Sequence, residues 1–146
     1  MPRIIKDDDP IQRFRSVFTS INAPKGGLPT MPIRMTDLSS EELGNIMSRY
    51  SAWREFTEDR HCEACAVYSQ VKSEYDLQIS KEMLLYKDVT VSEKKARART
   101  SQNTEGLAKK LYEAEIYMTL LASKLESFTN VLNILSRELT RRGVIS

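Results

Sequence analysis

Beyond its first forty residues the chain has almost nothing that interrupts a helix. The five prolines fall at positions 2, 10, 24, 29 and 32, and only Gly44, Gly106 and Gly143 of the five glycines lie past residue 40. No apolar run reaches the roughly 18 residues that a membrane-spanning helix needs, so no membrane partner is expected. Cysteine is limited to Cys62 and Cys65. That is too little for a disulfide framework, and a reducing, cytoplasmic setting is expected. The opening Met1-Pro2-Arg3-Ile4-Ile5-Lys6-Asp7 lacks the apolar centre of a secretory leader. His61 is the single histidine, which leaves no Ser-His-Asp set. Lys25-Gly26-Gly27 is a turn rather than a phosphate loop, and Asp7-Asp8-Asp9 lacks the spacing of a calcium loop. These absences argue against an enzyme and against a bound cofactor. His61-Cys62-Glu63-Ala64-Cys65 holds one Cys-x-x-Cys without a second pair. On a helix its two cysteines lie one turn apart, and they read as small packing residues rather than half of a zinc site. No metal site is expected.

What the chain has in quantity is charge and helical periodicity. Charged residues make up 29%, slightly above a globular average of roughly 25%, and their placement is uneven. Residues 41–86 carry five basic and nine acidic side chains, whereas residues 87–112 carry seven basic and three acidic. A local cationic excess of that kind suits a polyanion or an acidic partner.

Residues 1–38 read as an arm. Asp9-Pro10 offers a cap followed by proline at the first helical position. Ile11, Phe14, Val17, Phe18 and Ile21 are spaced for a short amphipathic helix over about residues 10–21. Pro24, Pro29 and Pro32 bias residues 22–38 toward extended backbone. The arm is too poor in apolar surface to fold alone. It is expected to lie on its own bundle or on a neighbouring subunit.

Residues 39–146 read as a helical hairpin. Ser39 and Glu42 form a capping box. Apolar positions then recur every three or four residues from Leu43 to Tyr86, with a weaker polar stretch at residues 57–62. Lys87-Asp88-Val89 is the corner, and Thr90 with Glu93 offers a second box. A basic connecting segment covers about residues 90–106, with a break or kink expected around its polar end, Thr100–Gly106. The last helix carries a heptad seam from Leu107 through Leu111, Ala114, Met118, Leu121, Leu125, Phe128, Leu132 and Leu135 to Leu139. A flanking stripe of Ile116, Tyr117, Leu120, Val131 and Ile134 makes the apolar face wider than a two-stranded zipper requires. Trp53 and Tyr50, on the seam of the first helix, read as core.

The predicted fold is therefore all-α: a long antiparallel, coiled-coil-like hairpin with an extended, proline-containing arm. Each covered seam side chain contributes roughly 1.5–3 kcal/mol, while ordering the backbone costs about 1–2 kcal/mol per residue. A lone hairpin covers its seam on one side only, so a homo-oligomer is expected.

Lys94, Lys95, Arg97 and Arg99, with Lys109 and Lys110, are the candidate functional residues. Flexible cations of this kind neutralise phosphates without reading bases, and Tyr86 and Tyr112 lie close enough in sequence to stack on bases. The competing reading of the same run is a solvated helix face.

Three features carry a resemblance to a known group. These are Tyr50-Ser51-Ala52-Trp53 early in the first long helix, the basic Lys94-Lys95-Ala96-Arg97-Ala98-Arg99 between the long helices, and the closing Arg141-Arg142-Gly143. Over about residues 40–143 the chain resembles the UvsY-type recombination mediator proteins of T-even phages. The resemblance implies a homo-oligomeric ring that binds single-stranded DNA. It also implies two protein partners, a RecA-like recombinase that the ring helps to load and a single-strand-binding protein that covers the strand. The alternative expectation is a structural or adaptor coiled-coil protein, a virion or scaffold component with no nucleic-acid role.

Overall fold

A computed structural model describes residues 9–143. Asp7, Asp8 and the start of the arm lie outside the described residues. Four α-helices follow in order: α1 Pro10–Val17, α2 Ser40–Met83, α3 Val91–Thr100 and α4 Gln102–Arg141, with a 3-10 turn at Met35–Asp37. No strand occurs among the described residues. The protein is all-α.

Three of the four α-helices, α1, α2 and α3, begin where a local side chain satisfies a free N–H group. The Asp9 carboxylate accepts from Ile11 N at 3.0 Å with Pro10 in the first turn, although α1 stops at Val17, before Ile21. At α2 both halves of the capping box form: Ser39 Oγ accepts from Glu42 N at 3.1 Å, and Ser39 N donates to Glu42 Oε2 at 2.8 Å. Only half of the second expected box forms. Thr90 Oγ1 accepts from Glu93 N at 3.2 Å, but the Glu93 carboxylate turns to Arg97 at 2.7 Å. The expected break falls at Ser101, whose backbone is extended (φ −68°, ψ 148°). From there α4 runs straight through Gly106.

The two long helices, about 65 and 60 Å in length at ~1.5 Å per residue, pack antiparallel. Arg142 reaches Leu38 and Ser40. Farther along, the Tyr50 ring meets Phe128 at 6.0 Å and Arg54 Nε donates to Thr129 Oγ1 at 2.9 Å. At the far end Asn103 Nδ2 donates to Glu82 Oε1 at 3.0 Å. Glu82 is buried and also accepts from Gln78 at 3.0 Å.

The arm lies on its own hairpin, and four side chains clasp it by its carbonyls. Arg49 donates to Gly26 O and Gly27 O, Tyr50 to Pro29 O, and Trp53 Nε1 to Gly27 O at 3.0 Å. Arg142 donates to Met35 O and Leu38 O, both at 2.7 Å. Gly26 and Gly27 have φ of +93° and +71°, a backbone that L side chains adopt only with strain. The arm adds Phe18 to the core, where it meets Trp53 at 6.0 Å. Arg13 of α1 sits 4.3 Å over the Tyr117 ring.

The core is concentrated under this arm. Leu43, Tyr50, Trp53, Ala64, Tyr117, Leu121, Phe128, Leu135 and Leu139 are buried together with Phe18. Thr57 is fully buried as well and bonds back to Trp53 O at 2.7 Å, so the seam continues through the stretch that reads as polar. Of the heptad seam, Leu121, Phe128, Leu135 and Leu139 are buried, while Leu111, Met118, Leu125 and Leu132 are half-buried. Tyr117, from the flanking stripe, takes a core position. One facing helix covers one line of a seam, and the second line is left at the edge. Beyond Ala64 the short α3 lies against the hairpin at its far end, and between them Val71, Tyr75 and Ile79 are only half-buried.

Glu138 joins arm and hairpin ends. Hydrogen bonds from Arg141 and Arg142 hold its carboxyl at about 2, below the usual 4.5, against the opposing effect of partial burial. The folded value lies below the unfolded one, so this stabilisation is complete above the unfolded pKa and is lost as pH falls toward 2. The wild type should lose melting temperature faster than Glu138→Gln on acidification from about pH 5. Parallel curves from circular dichroism would contradict the assignment.

Candidate nucleic-acid interface

α3 is the element on which four of the six cationic candidates stand, Lys109 and Lys110 being on α4. Thr90 starts α3, and Ala98, fully buried, docks it on the hairpin. Small size at that contact lets the short helix lie close, and the remaining positions turn outward. Lys95, Arg97 and Arg99 are exposed, and Lys94 is half-buried.

Helical spacing divides these cations. Lys95 and Arg99 are one turn apart and share a face, whereas Arg97 stands two residues from each and projects elsewhere. Arg97 is engaged on that other side: it pairs with Glu93 and lies 5.4 Å over the Tyr86 ring. Tyr86 is therefore half-buried and covered, and it does not offer an open stacking face. Among the described residues, no carboxylate lies within ion-pair distance of Lys94, Lys95, Arg99 or Lys110. Arg97 and Arg99 also occupy the last turn of α3, where cations are favoured by the helix dipole whatever else they do.

Lys109 and Lys110 are not drawn into the same surface. Lys109 pairs with Glu113 at 4.0 Å and lines a depression of about 540 Å³ with Asp9, Ile11, Tyr112 and Ile116. Lys110 borders a separate groove of about 400 Å³ with Arg13, Val67 and Tyr117. The structure thus assembles three local groups instead of one continuous cationic stripe. Tyr112 remains open, with 65% of its surface exposed.

The remaining candidates are structural in placement. Trp53 and Tyr50 are buried and hold the arm, and burial raises the Tyr50 hydroxyl above its ordinary 10.0. The Cys65 thiol lies 3.5 Å from His61 Nε2, and Cys62 is exposed. Among the described residues no third side chain joins them in a metal-sized cluster. Two features escaped sequence reasoning. One is the clasp by Arg49, Tyr50, Trp53 and Arg142, because it acts on backbone carbonyls that carry no residue signature. The other is the exposed apolar corner at Leu84, Leu85 and Val91. The adjacent leucines, off the three-and-four spacing that ends at Tyr86, were its available sign.

Fold and surface together define a class: a helical hairpin with a clasped arm and a cationic end helix, with no helix among the described residues long and apolar enough to cross a membrane. No protein-family model matches the chain, and neither curated proteins nor solved structures give a match.

Proposed function

We propose that this chain is a non-catalytic recombination accessory that self-assembles and binds single-stranded DNA through the phosphates. The observation that carries the reading is α3. It is a ten-residue helix anchored through Ala98, with Lys95 and Arg99 exposed on one face and unpaired among the described residues. Such a face neutralises phosphates without selecting bases. Repetition in a homo-oligomer would multiply weak contacts. The likeness to UvsY-type mediators supports the same reading and supplies its partners, a RecA-like recombinase and a single-strand-binding protein, in the cytoplasm of an infected cell.

Fluorescence anisotropy of a labelled oligothymidylate at several salt concentrations tests it. The combined Lys94→Gln, Lys95→Gln, Arg97→Gln and Arg99→Gln variant should bind more weakly. The slope of log affinity against log salt should flatten by about 0.7 for each lost phosphate contact. Lys109→Gln and Lys110→Gln should matter less, since the fold points these residues into other grooves. Equal affinity of the combined variant and the wild type would sink the site assignment. A second reading, a structural adaptor without nucleic acid, is favoured by the exposed leucine corner. It would prevail if the protein failed to retain DNA at low salt yet co-assembled with a larger particle.

A further inference from the structure

We infer that the Leu84-Leu85 corner of one molecule inserts into the α1–α4 groove of a second copy, so that the chain assembles head to side. The inference rests on the self-assembly part of the reading above and specifies its interface. Leu84 and Leu85 are 79% and 71% exposed, and Val91 across the turn is 62% exposed. Side chains with that much open surface project as knobs. An exposed apolar cluster rimmed by polar residues marks a contact surface. Lysines dominate the surroundings of this one. Lys81 precedes Leu84 and Leu85 by one helical turn, Lys87 follows them, and Lys94 follows Val91 by about one turn, apart from the Lys95–Arg99 face. Asp88 is the exposed acid of the turn, Glu93 is engaged by Arg97, and Glu82 is buried.

The same chain carries the complementary shape. The depression of about 540 Å³ beside Ile11, Tyr112 and Ile116 adjoins a second of about 300 Å³ that runs along α4 past Ile116 to Leu120. Tyr112, Ile116 and Leu120 are each four residues apart, a single apolar ridge on α4. The charge here is acidic: Lys109 and Glu113 pair with each other, which leaves Asp9 and Glu115 as the uncompensated charges lining the two depressions. Apolar knob with cationic rim thus faces apolar groove with acidic rim. Opposed potentials of that kind fix orientation and suppress knob-to-knob pairing.

The contact cannot close within one molecule. The corner sits at the end of the hairpin where Glu82 meets Asn103, and Tyr112 to Leu120 lie about 14–26 Å farther along α4 at ~1.5 Å per residue. Because knob and groove are different surfaces, each copy uses one and offers the other. Heterologous contacts of this type build rings when the rotation closes and filaments when it does not.

Light scattering on the full chain without DNA tests this separately from phosphate binding, which is read by anisotropy. The wild type should rise above the monomer mass with increasing concentration. Leu84→Glu with Leu85→Glu should stay monomeric, and so should Ile11→Lys with Tyr112→Lys. All four positions are exposed, so helix content and melting should be retained. Leu84→Ser with Leu85→Ser serves if the glutamates disturb the turn. The decisive sample is the equimolar mixture of the two defective variants. Each retains one intact half, so the mixture should recover the dimer mass and stop there. A wild type that remains monomeric at every concentration, a defective variant that assembles like the wild type, or a mixture that stays monomeric would each overturn the inference.

Discussion

Replacing Trp53 with alanine should lower the unfolding free energy by about 3–5 kcal/mol, the usual cost of deleting a buried large aromatic. On a chain of this size that shifts the melting temperature by on the order of 10 °C. The indole is 1% exposed and joins two parts of the fold, the arm and its own helix. Its ring meets Phe18 of the arm at 6.0 Å and Phe56 of its own helix at 5.8 Å, and its Nε1 holds Gly27 O. Deleting it opens a cavity where arm and hairpin join. Trp53→Phe keeps an aromatic ring in the site but removes the hydrogen bond and part of the fused ring, so it should cost about 1–3 kcal/mol, less than the alanine. Urea titrations followed by circular dichroism measure both, since Trp53 is the chain's single tryptophan and fluorescence is lost with it. Equal losses in the two variants would mean that the hydrogen bond, and not the packing, dominates at this site.

Arg142→Ala should cost about 1.5–3 kcal/mol, the range for hydrogen bonds made by a charged group. It should also expose the arm to protease. The guanidinium donates to Met35 O and Leu38 O from two different nitrogens while its Nε holds Glu138. Its side chain is largely covered. The geometry uses the planar fork, which an ammonium cannot reproduce. Arg142→Lys should therefore restore less than half of the loss. Cleavage of the arm after Lys25 and after Arg34, timed by limited trypsin digestion, should accelerate in both variants. Full recovery by lysine would show that charge alone, without the fork, is sufficient. The same arginine belongs to the closing Arg141-Arg142-Gly143 that marks the resemblance to the recombination mediators. So do Tyr50 and Trp53. In this structure those three side chains fasten the arm, which gives the motifs a packing role independent of any DNA contact.

Helix starts were readable because their cause is local. Asp9, Ser39 and Thr90 each satisfy an N–H within three residues of themselves. Helix ends were less so. α1 stops at Val17, short of Ile21, and although the break falls at Ser101 within the expected stretch, α4 continues through Gly106, since glycine inside a packed helix costs only about 1 kcal/mol, which tertiary contacts outweigh. Thr57 reads as polar and is fully buried because its hydroxyl finds Trp53 O one turn back. The cationic segment was legible as composition. The division of its members was not, because Arg97 is drawn to Glu93 and Tyr86 and Lys110 faces the α1 groove.

By itself, then, the sequence determined the all-α class, the two long helices and their antiparallel pairing, through caps a few residues wide and an apolar repeat that needs no distant partner. Only the tertiary structure decided which line of the Leu107–Leu139 seam is buried, where the arm lies and which cations stand free. Those outcomes depend on contacts such as Arg142 to Met35, 107 residues apart, and on the one-sided cover that a single facing helix provides.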